Sequence, residues 1–232
     1  MKNGSIISIE NLVKRFPIGG GEFTALNGIN LSFVTGEFTG IVGPSGSGKT
    51  TLLNILGSLD TPSMGVTEVL GTSSNNMTPK VAASLRKLRI GFIFQTYNLM
   101  PVYTVYENVE FPLLLLKQPA SERKKAVLEA LEWVGLSDKV KSKPPMLSGG
   151  ESQRVAIARA MVKKPDLVLA DEPTANLDAE NSHHILQTME KLNKELETTF
   201  VFATHDEKVI GYLRRIIRLE DGKVVSDENI KN

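Results

Sequence analysis

Residues Gly43, Pro44, Ser45, Gly46, Ser47, Gly48, Lys49, Thr50 and Thr51 fit the spacing G-x-x-x-x-G-K-[ST] without a gap. Ile41-Val42 before them reads as a strand end, and Leu52-Leu53-Asn54-Ile55-Leu56 after them as a helix. Residues of these types bind phosphate. Gly43, Gly46 and Gly48 let the backbone turn tightly and bring N–H groups to phosphate oxygens with no Cβ in the way. The helix start adds the positive end of its dipole. Lys49 supplies a point charge, and the Thr50 hydroxyl is placed to ligate Mg²⁺. A Gly/Ser linker holding a chance lysine is the alternative, and the flanking strand and helix argue against it.

Two further stretches carry chemistry. Leu167-Val168-Leu169-Ala170-Asp171-Glu172 is an apolar run with two carboxylates at its carboxyl end, where open α/β sheets place their ligands. Asp171 would hold Mg²⁺ and Glu172 would polarise an attacking water; alone, the pair could equally be a solvated acidic turn, but the phosphate loop upstream favours the first reading. Leu147-Ser148-Gly149-Gly150-Glu151 opens a helix and forms a second backbone nest suited to an anion, or, taken alone, an ordinary loop.

These residues need elements to position them. Ser5 to Glu10 and Thr24 to Phe33 alternate apolar and polar residues around Gly19-Gly20-Gly21, as antiparallel strands joined by a turn do. Strands are expected over Thr39 to Val42, Gly65 to Leu70, Ile90 to Phe94, Leu167 to Ala170, Phe200 to Ala203 and Ile216 to Leu219, the last turning at Asp221-Gly222 into Lys223-Val224-Val225. Helices are expected over Pro79 to Leu88, from about Gly150, and over Ala179 to Leu196. Between Thr96 and Pro145 five prolines punctuate a mostly helical insert with one strong helix, Glu122 to Val134, which Ser121 would cap. Strands alternating with helices predict an α/β fold with a mostly parallel sheet.

The 232 residues suffice for one sizeable core. A net charge of +1 predicts no nucleic-acid partner. With no cysteine there is no disulfide framework and no thiolate metal site. The start, MKNGSIISIENLVKRF, has no apolar h-region, and the apolar run Leu113 to Leu116 is too short to span a bilayer. A soluble protein is expected, reaching a membrane only through a partner.

In order and over nearly its whole length, the chain resembles the ATP-binding cassette ATPase family. Gly43 to Thr51 match that family's Walker A loop, Gln95 its Q-loop glutamine, Leu147 to Glu151 its signature, Leu167 to Glu172 its Walker B strand with catalytic glutamate, Asn176-Leu177-Asp178 its D-loop, and His205 its switch histidine. The resemblance implies a P-loop NTPase core with an antiparallel β subdomain at the N-terminus and an inserted helical subdomain. It divides a single domain of residues 1–232 into a core of 1–95 and 160–232 and a helical part of 96–159. It implies hydrolysis of ATP with Mg²⁺ held by Thr50, Gln95 and Asp171, Lys49 neutralising charge, and Glu172 and His205 orienting water. Phe16 stands where the family stacks an aromatic ring, more often tyrosine, on adenine; covering the core at a strand end is the other reading of that ring. Glu151 replaces the glutamine frequent in relatives, which predicts slower turnover at worst. His183 and His184, on a charged helix, read as surface residues.

The resemblance further implies a dimer in which the P-loop of one copy and Ser148 of the other close on one ATP. The segments around Gly43 and Gln95 look like the branch serving lipoprotein release and macrolide and antimicrobial-peptide export. That implies an integral membrane permease, docked near Tyr97 to Asn108, and a cytoplasmic place on the inner face of the membrane. Alternatives are a soluble non-transport relative or a cell-division cassette that moves no solute. A GTPase is disfavoured because Asn193-Lys194 is followed by Glu195-Leu196 rather than completing Asn-Lys-x-Asp.

Overall fold

A computed structural model describes residues 4–230. The strand that delivers the chain to the phosphate loop, β3 (Phe38–Val42), is buried along its whole length. It lies third in a six-stranded sheet, between β9 (Arg215–Glu220) and β8 (Thr199–Thr204), followed outward by β7 (Leu167–Asp171) and β6 (Ile90–Ile93). These strands pair in parallel; β10 (Lys223–Asn229) closes the other edge antiparallel to β9. A parallel sheet covered on both faces needs continuous apolar strands, and alternate residues then serve different cores. Val168, Ala170, Phe200 and Phe202 point into one cluster, while Leu167, Leu169, Val201 and Ala203 point into the other.

The second cluster is closed by a separate antiparallel sheet. Its strands β1 (Ser5–Ile18) and β2 (Gly21–Val34) form a long hairpin, with β4 (Met64–Val69) on the other side of β1 and β5 (Thr72–Ser73) at the edge. Gly19 and Gly20, both at positive φ, make the two-residue turn, so Ile18 pairs with Gly21. Helix α1 (Lys49–Leu56) lies between the sheets, burying Leu52, Leu53, Ile55 and Leu56.

The first cluster takes helices α3 (Val105–Leu115), α4 (Ala120–Trp133), α5 (Gly149–Met161) and α6 (Ala179–Leu196). Helix α2 is Pro79–Leu88, as its periodicity predicts, with Thr78 as N-cap. Strands β1, β2 and β10 run longer than expected, and two details of the helices also depart from the expectation. Helix α4 begins at Ala120, so Pro119 precedes it and Ser121 lies inside the first turn rather than capping it. Helix α3 runs through Pro112, which donates no N–H to the preceding turn. It is started by a Thr104–Glu107 capping box and anchored by buried Asn108, whose amide donates to the carbonyls of Met100, Tyr103 and Thr104.

Phe38 packs tilted against Phe200 and Phe202, which stack on each other, with Phe38 and Phe202 centroids 4.7 Å apart. Truncation of Phe202 to alanine is expected to cost about 3–5 kcal/mol of stability, read as a lower denaturation midpoint in urea.

Candidate functional site

Because β3, β7 and β8 run in register, with Val42 beside Thr204 and Asp171 beside Ala203, their carboxyl ends open together. The phosphate loop leaves β3 there. A side chain at Gly43 is sterically barred, since a Cβ would lie 2.0 Å from the Leu219 carbonyl oxygen of β9. Gly48 stands at φ 101, a conformation favouring glycine, and begins α1 with no side-chain cap and no acidic residue in the first turn. The first N–H groups of α1 therefore lack helical acceptors, and its dipole is uncompensated, as an anion site requires.

Gly46, Gly48, Lys49, Thr50 and Thr51 line a cavity of about 450 Å³ together with Ser45, Gln95, Asp171, Glu172 and His205. Lys49 is buried and donates to the carbonyls of Gly43 at 2.8 Å and Pro44 at 2.9 Å. The Thr50 hydroxyl donates to Asp171 Oδ2 at 3.0 Å. Burial pushes the Asp171 carboxyl above its ordinary range, and the Glu172 charge adds to this, opposed by the Thr50 bond and Lys49. Glu172 stands at φ 45, its carboxylate 2.6 Å from His205 Nδ1 and accepting from the Thr204 hydroxyl. Asn176 Nδ2 donates to the Gln95 carbonyl at 3.0 Å, tying the segment after Glu172 to the loop that presents Gln95. Thr50, Asp171 and Gln95 make an all-oxygen donor set, which suits Mg²⁺ with phosphate and water completing its shell. Among the described residues no cluster of three His, Cys, Asp or Glu makes an all-protein metal cage.

The aromatic wall involves a residue that carries no motif. Phe16 on β1 pairs with Phe23 on β2, so both rings share one face of the hairpin. Of the two, Phe23 lines the cavity, with Ala25, while Phe16 has the Lys14 ammonium 4.9 Å from its ring centroid. Only the hairpin register puts Phe23 there, and periodicity does not announce it.

Ser148, Gly149, Gly150 and Glu151 are absent from the lining of this cavity. Ser148 caps α5 in a reciprocal box: its N–H donates to Glu151 Oε2 at 2.8 Å and its hydroxyl accepts from the Glu151 N–H at 3.2 Å. The Glu151 carboxylate also meets Lys139 Nζ at 3.0 Å, so its charge is spent within the helix start. Asp178 caps α6 through the Asn181 N–H at 2.8 Å. Gly150 packs closely here, where a Cβ would lie 2.3 Å from Asn181 Oδ1 and the Asn181 side chain would have to shift.

A second concavity opens beside β6, α3 and α5. It comprises a space of about 360 Å³ lined by Phe92, Phe94, Asn98, Met100, Phe111 and Pro112, among others, and another of about 380 Å³ that adds Leu59 and Leu115. Tyr97 and Asn98 both adopt positive φ, and the Arg159 guanidinium holds both carbonyls at 2.6 Å.

Comparisons with known proteins agree with this architecture. A family profile described as ABC transporter matches residues 26–175. The chain is 45% identical over 227 residues to the lipoprotein-releasing system ATP-binding protein LolD of Pseudoalteromonas translucida, covering 98% of each. It is 41% identical over 226 residues to the macrolide export ATP-binding/permease protein MacB of Hyphomonas neptunium, covering 97% of this chain and 35% of that longer protein. A solved dimeric, post-hydrolysis structure of the ATP-binding cassette MJ0796, bound to ADP and Pi, superposes with a TM-score of 0.90 at 40% identity, covering 97% of this chain and 99% of the other; that cassette is from Methanocaldococcus jannaschii.

The depressed Glu151 carboxyl has a consequence for stability. Its hydrogen bond from the Ser148 N–H, then Lys139, holds it below the ordinary carboxylate value of 4.5. A lowered native value contributes stability that is complete above 4.5 and is lost as pH falls through the native value. Glu151→Ala is therefore expected to be less stable than the parent at pH ~7, the two urea midpoints converging on acidification below ~4.5.

Proposed function

Because this chain belongs to the ABC transporter family of ATP-binding proteins, and is an ATP-hydrolysing transporter subunit, we propose that it works as a head-to-tail pair powering a separate membrane permease of the lipoprotein-release and macrolide-export type. One observation carries the pairing. Lys49, Thr50, Asp171, Glu172 and His205 share one cavity, from which the signature residue Ser148 is absent. A second copy would bring Ser148 and the free N–H groups at the start of its α5 to the exposed side of the nucleotide, with ATP as the glue.

In this reading the phosphate loop N–H groups and Lys49 neutralise the β and γ phosphates, and Phe23, with Phe16 beside it on the same face of the hairpin, packs on the base. Glu172 accepts the proton of the attacking water, with its carboxylate held by His205, and preorganised donors meet the charge that develops in line. Thr50, Gln95 and Asp171 would hold Mg²⁺, which when bound would supply further charge neutralisation at the phosphates. Asp178 contributes from the partner-facing D-loop.

Support for a permease comes from the second concavity, whose apolar wall includes Phe111 and Leu115, 38% and 50% exposed. It suits a short apolar helix from a membrane subunit. Among the described residues no helix is long and apolar enough to cross a membrane, so attachment to the inner face of the membrane would come through that subunit. The helical part at 96–159 would move against the core at 1–95 and 160–232 as the pair closes.

Glu172→Gln is expected to bind ATP but to lose turnover by at least about a hundredfold, and to dimerise in light scattering when ATP saturates. Near-normal turnover would refute the general-base assignment, and a monomer at saturating ATP would refute the pairing. The same ATP-locked variant, incubated with solubilised membranes of its source, should capture a few-span membrane protein as its main partner. Adding Leu115→Asp should abolish that capture. Recovery of soluble proteins alone would overturn the permease reading.

A further inference from the structure

The chain segments that leave β7 and β8 exchange side-chain hydrogen bonds in a reciprocal pattern. Thr204, the last residue of β8, donates its hydroxyl to Glu172 Oε2 at 3.0 Å. Thr174, two residues past Glu172, donates its hydroxyl to Asp206 Oδ2 at 2.9 Å, and Asp206 lies two residues past Thr204. Each segment thus gives one hydroxyl proton to a carboxylate of the other.

The proton inventory makes the direction unambiguous. Thr204 Oγ1 already accepts the Asp206 N–H at 3.0 Å, so its single proton is free for the Glu172 carboxylate. Asp206 uses its other oxygen to accept the Lys208 N–H at 2.9 Å, capping α7 (Glu207–Ile210). Thr204 and Thr174 are 0% and 1% exposed, so neither bond competes freely with water.

The clamp surrounds a strained residue. Glu172 stands at φ 45, outside the region a carboxylate side chain prefers, and its N–H is tied to the Ala203 carbonyl at 2.9 Å. Such a conformation persists only where neighbours over-determine it. His205, on one carboxylate oxygen, is open to solvent, with a side-chain exposure of 66%. Thr204, on the other oxygen, belongs to a buried strand end.

We propose that Thr204 is a positioning residue for ATP hydrolysis, aiming the Glu172 carboxylate at the attacking water, and that the Thr174–Asp206 bond braces Thr204 in place. The inference rests on the reading of Glu172 as general base. Thr204 keeps one carboxylate oxygen registered to the sheet, so the free lone pairs of Glu172 stay aimed into the cavity.

The test compares Thr204→Val, Thr204→Ser and Thr174→Val with the parent and with Glu172→Gln in steady-state ATP hydrolysis. Thr204→Val should lose about tenfold to a hundredfold in kcat, the scale of a misaimed reacting group, with KM for ATP unchanged. Thr204→Ser, which keeps the hydroxyl, should recover most of it. Thr174→Val should show a smaller loss with the same split. In a Glu172→Gln background, Thr204→Val should cause no further loss, because there is no base left to aim. Parental kcat in a folded Thr204→Val, or an equal fold-loss in both backgrounds, overturns the proposal. If Thr204→Val does not fold, parental kcat in Thr174→Val overturns it, and a kcat-only loss there supports it. Full turnover in Glu172→Gln sinks the general-base reading itself, whereas full turnover in Thr204→Val beside an inactive Glu172→Gln sinks the clamp alone.

Discussion

The register of three parallel strands is the constraint on which everything else depends. β3, β7 and β8 hydrogen-bond side by side, and their carboxyl ends present the phosphate loop, the Asp171–Glu172 pair and Thr204–His205 within one opening. A shift of one residue in β7 would exchange the two faces of that strand and send Asp171 away from Thr50. The twin apolar clusters enforce this register. Each buried strand sends alternate side chains into opposite cores, so slippage would have to re-sort both.

Two helix starts illustrate how similar sequences acquire different electrostatics. Helix α1 begins at Gly48 with no cap, leaving its positive end open to the cavity, whereas α5 begins at Ser148 inside a capping box completed by Glu151 and Lys139. A carboxylate at the start of α5 looks in the sequence like a charge near the nucleotide. In the fold its oxygens are turned to its own helix start and to Lys139.

The segment after Gln95 joins the nucleotide cavity to the apolar concavity beside α3. Arg159 of α5 holds the Tyr97 and Asn98 carbonyls while Asn176 holds that of Gln95. Displacement of α5 would therefore pull on the loop that presents Gln95, which gives a physical route between a partner on one surface and phosphate chemistry on another.

Much of this protein is written in local signals. The Gly43 to Thr51 spacing, the Thr78 cap before α2, the Asp221-Gly222 turn and the apolar runs ending in Asp171 and His205 are short-range patterns, each with a local cause in backbone freedom or periodicity. Helix α3 was hidden by Pro112, whose penalty is offset by the capping box and by Asn108 reaching back to three carbonyls. The placement of Phe23 beside the phosphate loop, the pairing of Glu151 with Lys139 and the hydroxyl bonds from Thr204 to Glu172 and from Thr174 to Asp206 were decided only by the tertiary structure. They join residues from different segments of the chain, and strand register and helix packing set which side chains meet. The motifs therefore determined what chemistry is possible, and the packing of the sheet determined which neighbours hold it in position.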